Sequence, residues 1–158
     1  MVTLWVKVVE GGGLAMFKGH YEHSVDSKNR LIIPAKFRDE LGDSFVVTRW
    51  LDGCLSVYCE DKWETMIDKL SDLPTEKKAV RQYLRQLTAN AIDCSIDNQG
   101  RIQLSKNLMQ IAGIKKNCVI LGVSDHLEIW AEDKWNAYEN EAPNSFEDAA
   151  EAISDIFD

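Results

Sequence analysis

Short apolar runs alternate with turn-forming residues along most of this chain, and the pattern recurs at a nearly fixed spacing. Asp26-Ser27-Lys28-Asn29-Arg30-Leu31-Ile32-Ile33-Pro34 is echoed by Asp97-Asn98-Gln99-Gly100-Arg101-Ile102-Gln103-Leu104-Ser105 at an offset of 71, and Gly42 meets Gly113 at the same offset. Further on, Leu55-Ser56-Val57-Tyr58-Cys59-Glu60-Asp61-Lys62-Trp63 returns as Leu127-Glu128-Ile129-Trp130-Ala131-Glu132-Asp133-Lys134-Trp135 at an offset of 72. Two identical Glu-Asp-Lys-Trp ends at matching places establish a tandem repeat. Each copy opens with a strand that ends at an acidic residue, followed by three turn-forming residues, an arginine and an apolar strand, the grammar of a β-hairpin with a short loop. Asn29 and Gly100 share one slot in that loop, and these two residue types enter the left-handed backbone region most cheaply.

After the hairpin a short helix is predicted, Pro34 to Leu41 in one copy and Ser105 to Ala112 in the other, closed by Gly42 or Gly113 as a C-terminal cap. Two strands follow, near Phe45 to Thr48 and Cys54 to Tyr58, and again near Cys118 to Val123 and Leu127 to Trp130. Each module therefore reads β-β-α-β-β, and the fold class is α+β and β-rich, with the copies related by a pseudo-two-fold. A helix leaves the first module at Glu60, with Trp63, Met66, Ile67, Leu70 and Leu73 on one face and Pro74 as its stop. A second helix, Thr75 to about Ala91, sets Val80, Tyr83, Leu84 and Leu87 against a basic side of Lys77, Lys78, Arg81 and Arg85. In the tail, Ser145 and Asp148 read as a capping box before a stripe of Ala149, Ile153, Ile156 and Phe157. The predicted organisation is a first repeat over 16–63, linking helices over 64–91, a second repeat over 92–135 and an acidic tail over 136–158. Residues 1–15 form an extension ahead of the first repeat, read either as an extra edge strand at Thr3 to Val9 or as a mis-assigned start. The second reading rests on Gly12-Gly13, which a purine-rich ribosome-binding stretch could encode just upstream of Met16.

Charge changes the picture only once it is placed. The formal net charge is −8, yet residues 128–158 hold ten acids against the single base Lys134, which leaves the other 127 residues at +1. An acidic tail of this kind masks a locally basic surface, so the total neither supports nor excludes a nucleic-acid partner. With 158 residues and 45% hydrophobic content the chain can bury a core. Its longest apolar run is far short of the roughly 20 residues that cross a bilayer, and its start lacks the form of an export signal. No membrane partner and a cytoplasmic location are expected. Cys54, Cys59, Cys94 and Cys118 have no C-x-x-C spacing and read as reduced, buried thiols. The set His20, His23, Cys54 and Cys59 is spaced unlike a zinc module, so no metal and no other cofactor is expected.

The hairpin turns are the candidate functional elements. Asp26 and Asp97 have a purely structural reading, in which each closes its turn on backbone amides and pairs with Arg30 or Arg101. Around Arg30 the cations Lys28, Lys36 and Arg38 thicken a basic rim suited to phosphate contacts, and arginine also reads guanine edges. In the second copy Gln99, Asn107 and Met109 stand where the first has Lys28, Lys36 and Arg38, leaving Arg101 and Lys106. The first repeat is therefore expected to dominate binding. The basic side of the linking helix also reads as a solvated face.

The paired D-x-x-x-R turns, Met16-Phe17-Lys18-Gly19 ahead of the first, and the Glu-Asp-Lys-Trp ends resemble the MraZ family over roughly Met16 to Pro143. The resemblance implies an AbrB-like swapped-hairpin barrel in which the two repeats complete each other. It further implies a homo-oligomeric ring, association with the nucleoid, and binding to repeated double-stranded DNA elements upstream of the division and cell-wall gene cluster. Arg30 and the basic positions after it, including Arg38, match the family's DNA-contact positions, whereas Met109 departs from them. Several modules presented together would offset the few cations of each by effective concentration. Against this stands a non-catalytic scaffold that binds a protein partner through its repeats and tail. Enzyme chemistry is not expected: there is no phosphate loop, no nucleophile elbow and no H-E-x-x-H, His20, His23 and His126 form no catalytic set, and no small-molecule substrate is implied.

Overall fold

The sheets are built by exchange between the two repeats. The computed structural model describes residues 16–141 and 145–157, with the Ser145 side chain excepted; both readings of residues 1–15, and the Ser145 half of the capping box, lie outside what it describes. The elements in chain order are β1 (Phe17–Ser24), β2 (Arg30–Ile32), α1 (Ala35–Leu41), β3 (Phe45–Arg49), β4 (Leu55–Cys59), α2 (Glu60–Ser71), α3 (Lys78–Ala89), β5 (Ile92–Cys94), β6 (Arg101–Gln103), α4 (Lys106–Ala112), β7 (Asn117–Ser124), β8 (His126–Ala131), α5 (Glu132–Glu141) and α6 (Ser145–Phe157). Six strands form one antiparallel sheet in the order β1-β7-β8-β4-β3-β5, and β2 pairs with β6 in a second.

That order is a palindrome. Exchanging each strand for its repeat mate, β1 for β5, β3 for β7 and β4 for β8, reverses it, so the pseudo-two-fold passes between β4 and β8. There Ser56 sits opposite Glu128, its own counterpart at offset 72. In the small sheet Leu31 likewise faces Ile102. The first strand of each repeat therefore lies on the third strand of the other, β1 on β7 and β5 on β3. The hairpin grammar holds at the turn alone, where the Asp26 amide donates to the Arg30 carbonyl at 2.9 Å. Beyond it β1 and β2 part company into different sheets, an arrangement that is a swapped-hairpin one.

Alternation along the strands fixes the core. Phe45, Val47, Leu55, Val57, Cys118, Ile120, Leu127 and Ile129 point to one face of the large sheet, where Phe37 and Leu41 of α1, Leu108 and Ala112 of α4, and Leu31, Ile33, Ile102 and Leu104 close over them. The opposite face is covered too: the Thr48 hydroxyl on β3 donates to the Leu87 carbonyl of α3 at 2.6 Å, and Cys54, Val119 and Trp130 are buried there with Trp135 of α5 packed on them. Burial on both faces explains why β3 and β7 read as continuous apolar runs rather than as alternating ones.

The short helices start and stop where their residues dictate. Ser105 caps α4 by accepting from the Leu108 amide at 3.1 Å, and Gly113 ends it in the left-handed region at φ 68°. The second linking helix begins at Lys78, three residues after the Thr75 expected from pattern. Arg81 accounts for the delay, because its Nη1 donates to the carbonyls of Thr75 and Glu76 at 3.0 and 2.8 Å and holds that segment as a separate turn. Lys134, from the repeated tetrapeptide, donates to the carbonyls of Gly53 and Ile111 at 3.3 and 3.4 Å and ties α5 to the β3–β4 connection and to the last turn of α4. At the C-terminus α6 leaves its apolar stripe in solvent, with Phe146, Ile156 and Phe157 at 86%, 80% and 84% exposure. Among the described residues no helix is long and apolar enough to cross a membrane.

Candidate nucleic-acid interface

Each D-x-x-x-R turn is organised by its aspartate. Asp26 Oδ1 accepts from the amides of Lys28 and Arg30, both at 2.9 Å, and Oδ2 accepts from Arg30 Nε at 2.7 Å. Asp97 repeats this with Gln99 and Arg101, at 2.9, 2.9 and 2.8 Å. The middle of each turn is left-handed, at φ 61° for Asn29 and 78° for Gly100. The Arg30 amide, then that of Lys28 and the Arg30 side chain, outweigh desolvation and hold the Asp26 carboxyl below its usual 3.8. The Arg101 amide and side chain, with the Gln99 amide, do the same for Asp97. Both carboxylates are charged at neutral pH and fix the arginines by Nε, the inner nitrogen of the guanidinium. Among the described residues the terminal nitrogens of Arg30 have no hydrogen-bond partner, and its side chain stays 28% exposed.

The swap places the two turns against each other. The Ile33 amide donates to the Gly100 carbonyl and the Leu104 amide to the Asn29 carbonyl, each at 2.9 Å, so the middle residue of each turn receives a bond from the strand end of the other repeat. Gln103 Nε2 donates to the Lys28 carbonyl, and Arg101 Nη1 lies 3.8 Å from Asp26 Oδ2. Arg30 and Arg101 thus share one surface across the small sheet, where Arg30 stands opposite Gln103 and Arg101 opposite Ile32.

The remaining basic positions divide. Lys28 lies on the first turn and Lys36 in the first turn of α1, both exposed. Arg38 is half-buried; its Nε donates to the Ile33 carbonyl at 2.7 Å, and a Cβ built on Gly100 would fall onto its guanidinium. The side chain therefore rests on the turn of the second repeat, 62 residues away in sequence. Gln103 and the Arg38–Gly100 contact escape a reading by sequence neighbourhood, since both cross between repeats.

A second titratable cluster stands apart from the basic residues. His126, buried at the start of β8, has Nδ1 2.8 Å from Asp125 Oδ1 and Nε2 3.1 Å from Glu128 Oε2, and its ring stacks on Tyr58 at 4.8 Å. Burial opposes the imidazolium, but the hydrogen bonds to Glu128 and Asp125 and their charges prevail and raise its pKa above 6.5. Burial pushes the thiols of Cys94 and Cys118 up to about 11 and about 12, so neither is a nucleophile at neutral pH.

The family model of the MraZ protein, described as antitoxin-like, matches this chain twice, over residues 16–86 and 87–156. Each match contributes three strands to the palindromic sheet, β1, β3 and β4 from the first and β5, β7 and β8 from the second. The chain belongs to the MraZ family. Three curated members of the MraZ family, each named transcriptional regulator MraZ, align over 89% of this chain: one from Ligilactobacillus salivarius at 49% identity over 99% of its own length, one from Natranaerobius thermophilus at 46% over 99%, and one from Lactiplantibacillus plantarum at 46% over all of it. Their name denotes a non-enzymatic class. Each of the two MraZ matches contains one D-x-x-x-R turn, so the pair of turns described above is built from both halves.

Proposed function

We propose that this chain is a transcriptional regulator that binds double-stranded DNA through the joined turns. The observation that carries the reading is the shared surface of Arg30 and Arg101, each guanidinium oriented by its own aspartate through Nε. A preorganised guanidinium loses little side-chain entropy on meeting a phosphate or a guanine edge, which is why arginine suits such sites. Arg30, Arg101, Lys28, Lys36 and Arg38 are the contact residues of this reading, and Asp26, Asn29, Asp97 and Gly100 shape the turns. One chain offers few cations, so affinity depends on several copies engaging repeated DNA elements together. A closed homo-oligomeric ring in the cytoplasm, acting at the nucleoid on the promoter of its own division and cell-wall gene cluster, meets that need. The names of the curated relatives support the regulator part of this reading.

The test is fluorescence anisotropy with DNA from upstream of the chain's own gene against scrambled DNA of equal length, across a salt series. Preferential binding that weakens linearly with the logarithm of salt concentration supports the reading. Equal binding to both sequences at every salt concentration removes it and favours a protein-binding scaffold.

A further inference from the structure

The two turns share one backbone but differ at one residue, and the difference coincides with another elsewhere. The first turn has Asn29 and the second Gly100 at the left-handed slot; at the same offset of 71, α1 carries Arg38 where α4 carries Met109. The backbone accepts either residue at that slot, as Asn29 itself shows at φ 61°. Backbone conformation therefore does not explain the glycine of the second turn. Space does: the place a Cβ would take on Gly100 is filled by the Arg38 guanidinium. The contact is part of a continuous chain of bonds, because Ile33 accepts from Arg38 Nε through its carbonyl and donates to the Gly100 carbonyl through its amide. By the two-fold, position 109 stands in the same relation to the first turn, and there a methionine leaves room for the asparagine.

We infer that Arg38 acts on the second repeat's turn, placed there by the missing side chain of Gly100, so that each turn carries two cations: Lys28 and Arg30 on the first, Arg38 and Arg101 on the second. Gln99 deprives the second turn of the cation that Lys28 gives the first, and the swap brings one to it from the first repeat. The two turns then contribute comparably to a phosphate-binding surface, rather than the first dominating. This inference rests on the DNA-binding reading for its functional half and on packing alone for the other half.

Three variants separate the halves: Gly100→Asn, which installs the first turn's own residue, Arg38→Met, which installs the second repeat's, and the two combined. Without DNA, Gly100→Asn lowers the denaturation midpoint distinctly more when Arg38 is present than alongside Arg38→Met, where only the small cost of asparagine at a left-handed position remains. With promoter DNA, Gly100→Asn weakens binding roughly tenfold, the loss expected for one charge-assisted contact, and the double variant binds no worse than Arg38→Met. Both single variants lower the salt slope by about 1, although Gly100→Asn removes no charge, a signature that general destabilisation does not produce. Additive losses, or an unchanged slope in Gly100→Asn, overturn the inference. If Gly100→Asn does not fold, the double variant decides: a restored fold supports the clamp, and an unfolded one overturns it. Wild-type protein with no DNA preference defeats the proposed function and this functional half together, while the stability cycle still reports on the packing.

Discussion

Leu31 follows Arg30 directly, is 0% exposed, and faces Ile102 where the repeats meet in the small sheet. Replacing it with alanine removes three buried carbons, worth about 2.4 kcal/mol of transfer free energy at ~0.8 kcal/mol each. The surrounding Ile33, Ile102, Leu104 and Phe37 belong to both repeats and cannot collapse into the space independently, so a cavity term raises the expected cost of Leu31→Ala to about 3 to 4 kcal/mol. For a chain of this size that lowers Tm by about 6 to 16 °C. The assay is guanidinium denaturation at fixed protein concentration, with Ile32→Ala as the neighbouring control. Ile32 lies on the outer face of the same strand at 40% exposure, and its loss is expected to cost about 1 kcal/mol or less. A drop in midpoint with the slope m unchanged supports the account. Equal effects of the two substitutions would refute the claim that the inward face of this strand pair closes over the shared core.

Further predictions concern pH and the tail. Because the folded pKa values of Asp26 and Asp97 are depressed, their contribution to stability is present above about pH 3.8 and is lost as the pH falls through the folded values. Asp26→Asn should flatten that acid limb in a midpoint-against-pH series; an unchanged limb counts against the turn geometry. His126 has the opposite sign: its raised pKa, set by Asp125 and Glu128 with Tyr58 stacked on the ring, gives stability that is complete below pH 6.5 and lost as pH rises through the folded value. His126→Gln should abolish this alkaline decline, and a wild type equally stable on both sides would contradict the bracketed imidazolium. Truncation after Pro143 removes Glu147, Asp148, Glu151, Asp155 and Asp158 and is expected to tighten DNA binding at low salt. Unchanged affinity there would free the tail of any gating role.

Much of the fold is legible because its signals are local. The offset of 71 aligns the turns, Ser105 and Gly113 bound α4, and the runs at Phe45 and Cys118 mark strands buried on both faces. The start of α3 at Lys78 is less so, since it depends on a side chain of the following turn of helix reaching back to Thr75 and Glu76. Strand exchange leaves no local trace: the turn from Asp26 to Arg30 looks the same whether β1 and β2 pair or separate, and only the resemblance to a known family implied the swap. The same holds for the contact between Arg38 and Gly100 and for the bracketing of His126. In sequence His126 joins His20 and His23 in no catalytic set, and its partners Asp125 and Glu128 adjoin it along the chain but meet its ring only once β8 buries it against Tyr58.

The most direct measurement of the central claim is the affinity of Arg30→Ala and Arg101→Ala, separately and together, for promoter DNA across a salt series, with circular dichroism to confirm the fold. The account predicts that each loses sequence preference and lowers the salt slope by about 1, with the double variant reduced to weak binding indifferent to sequence. Folded variants that retain wild-type preference and slope would return both arginines to a purely structural part in their turns.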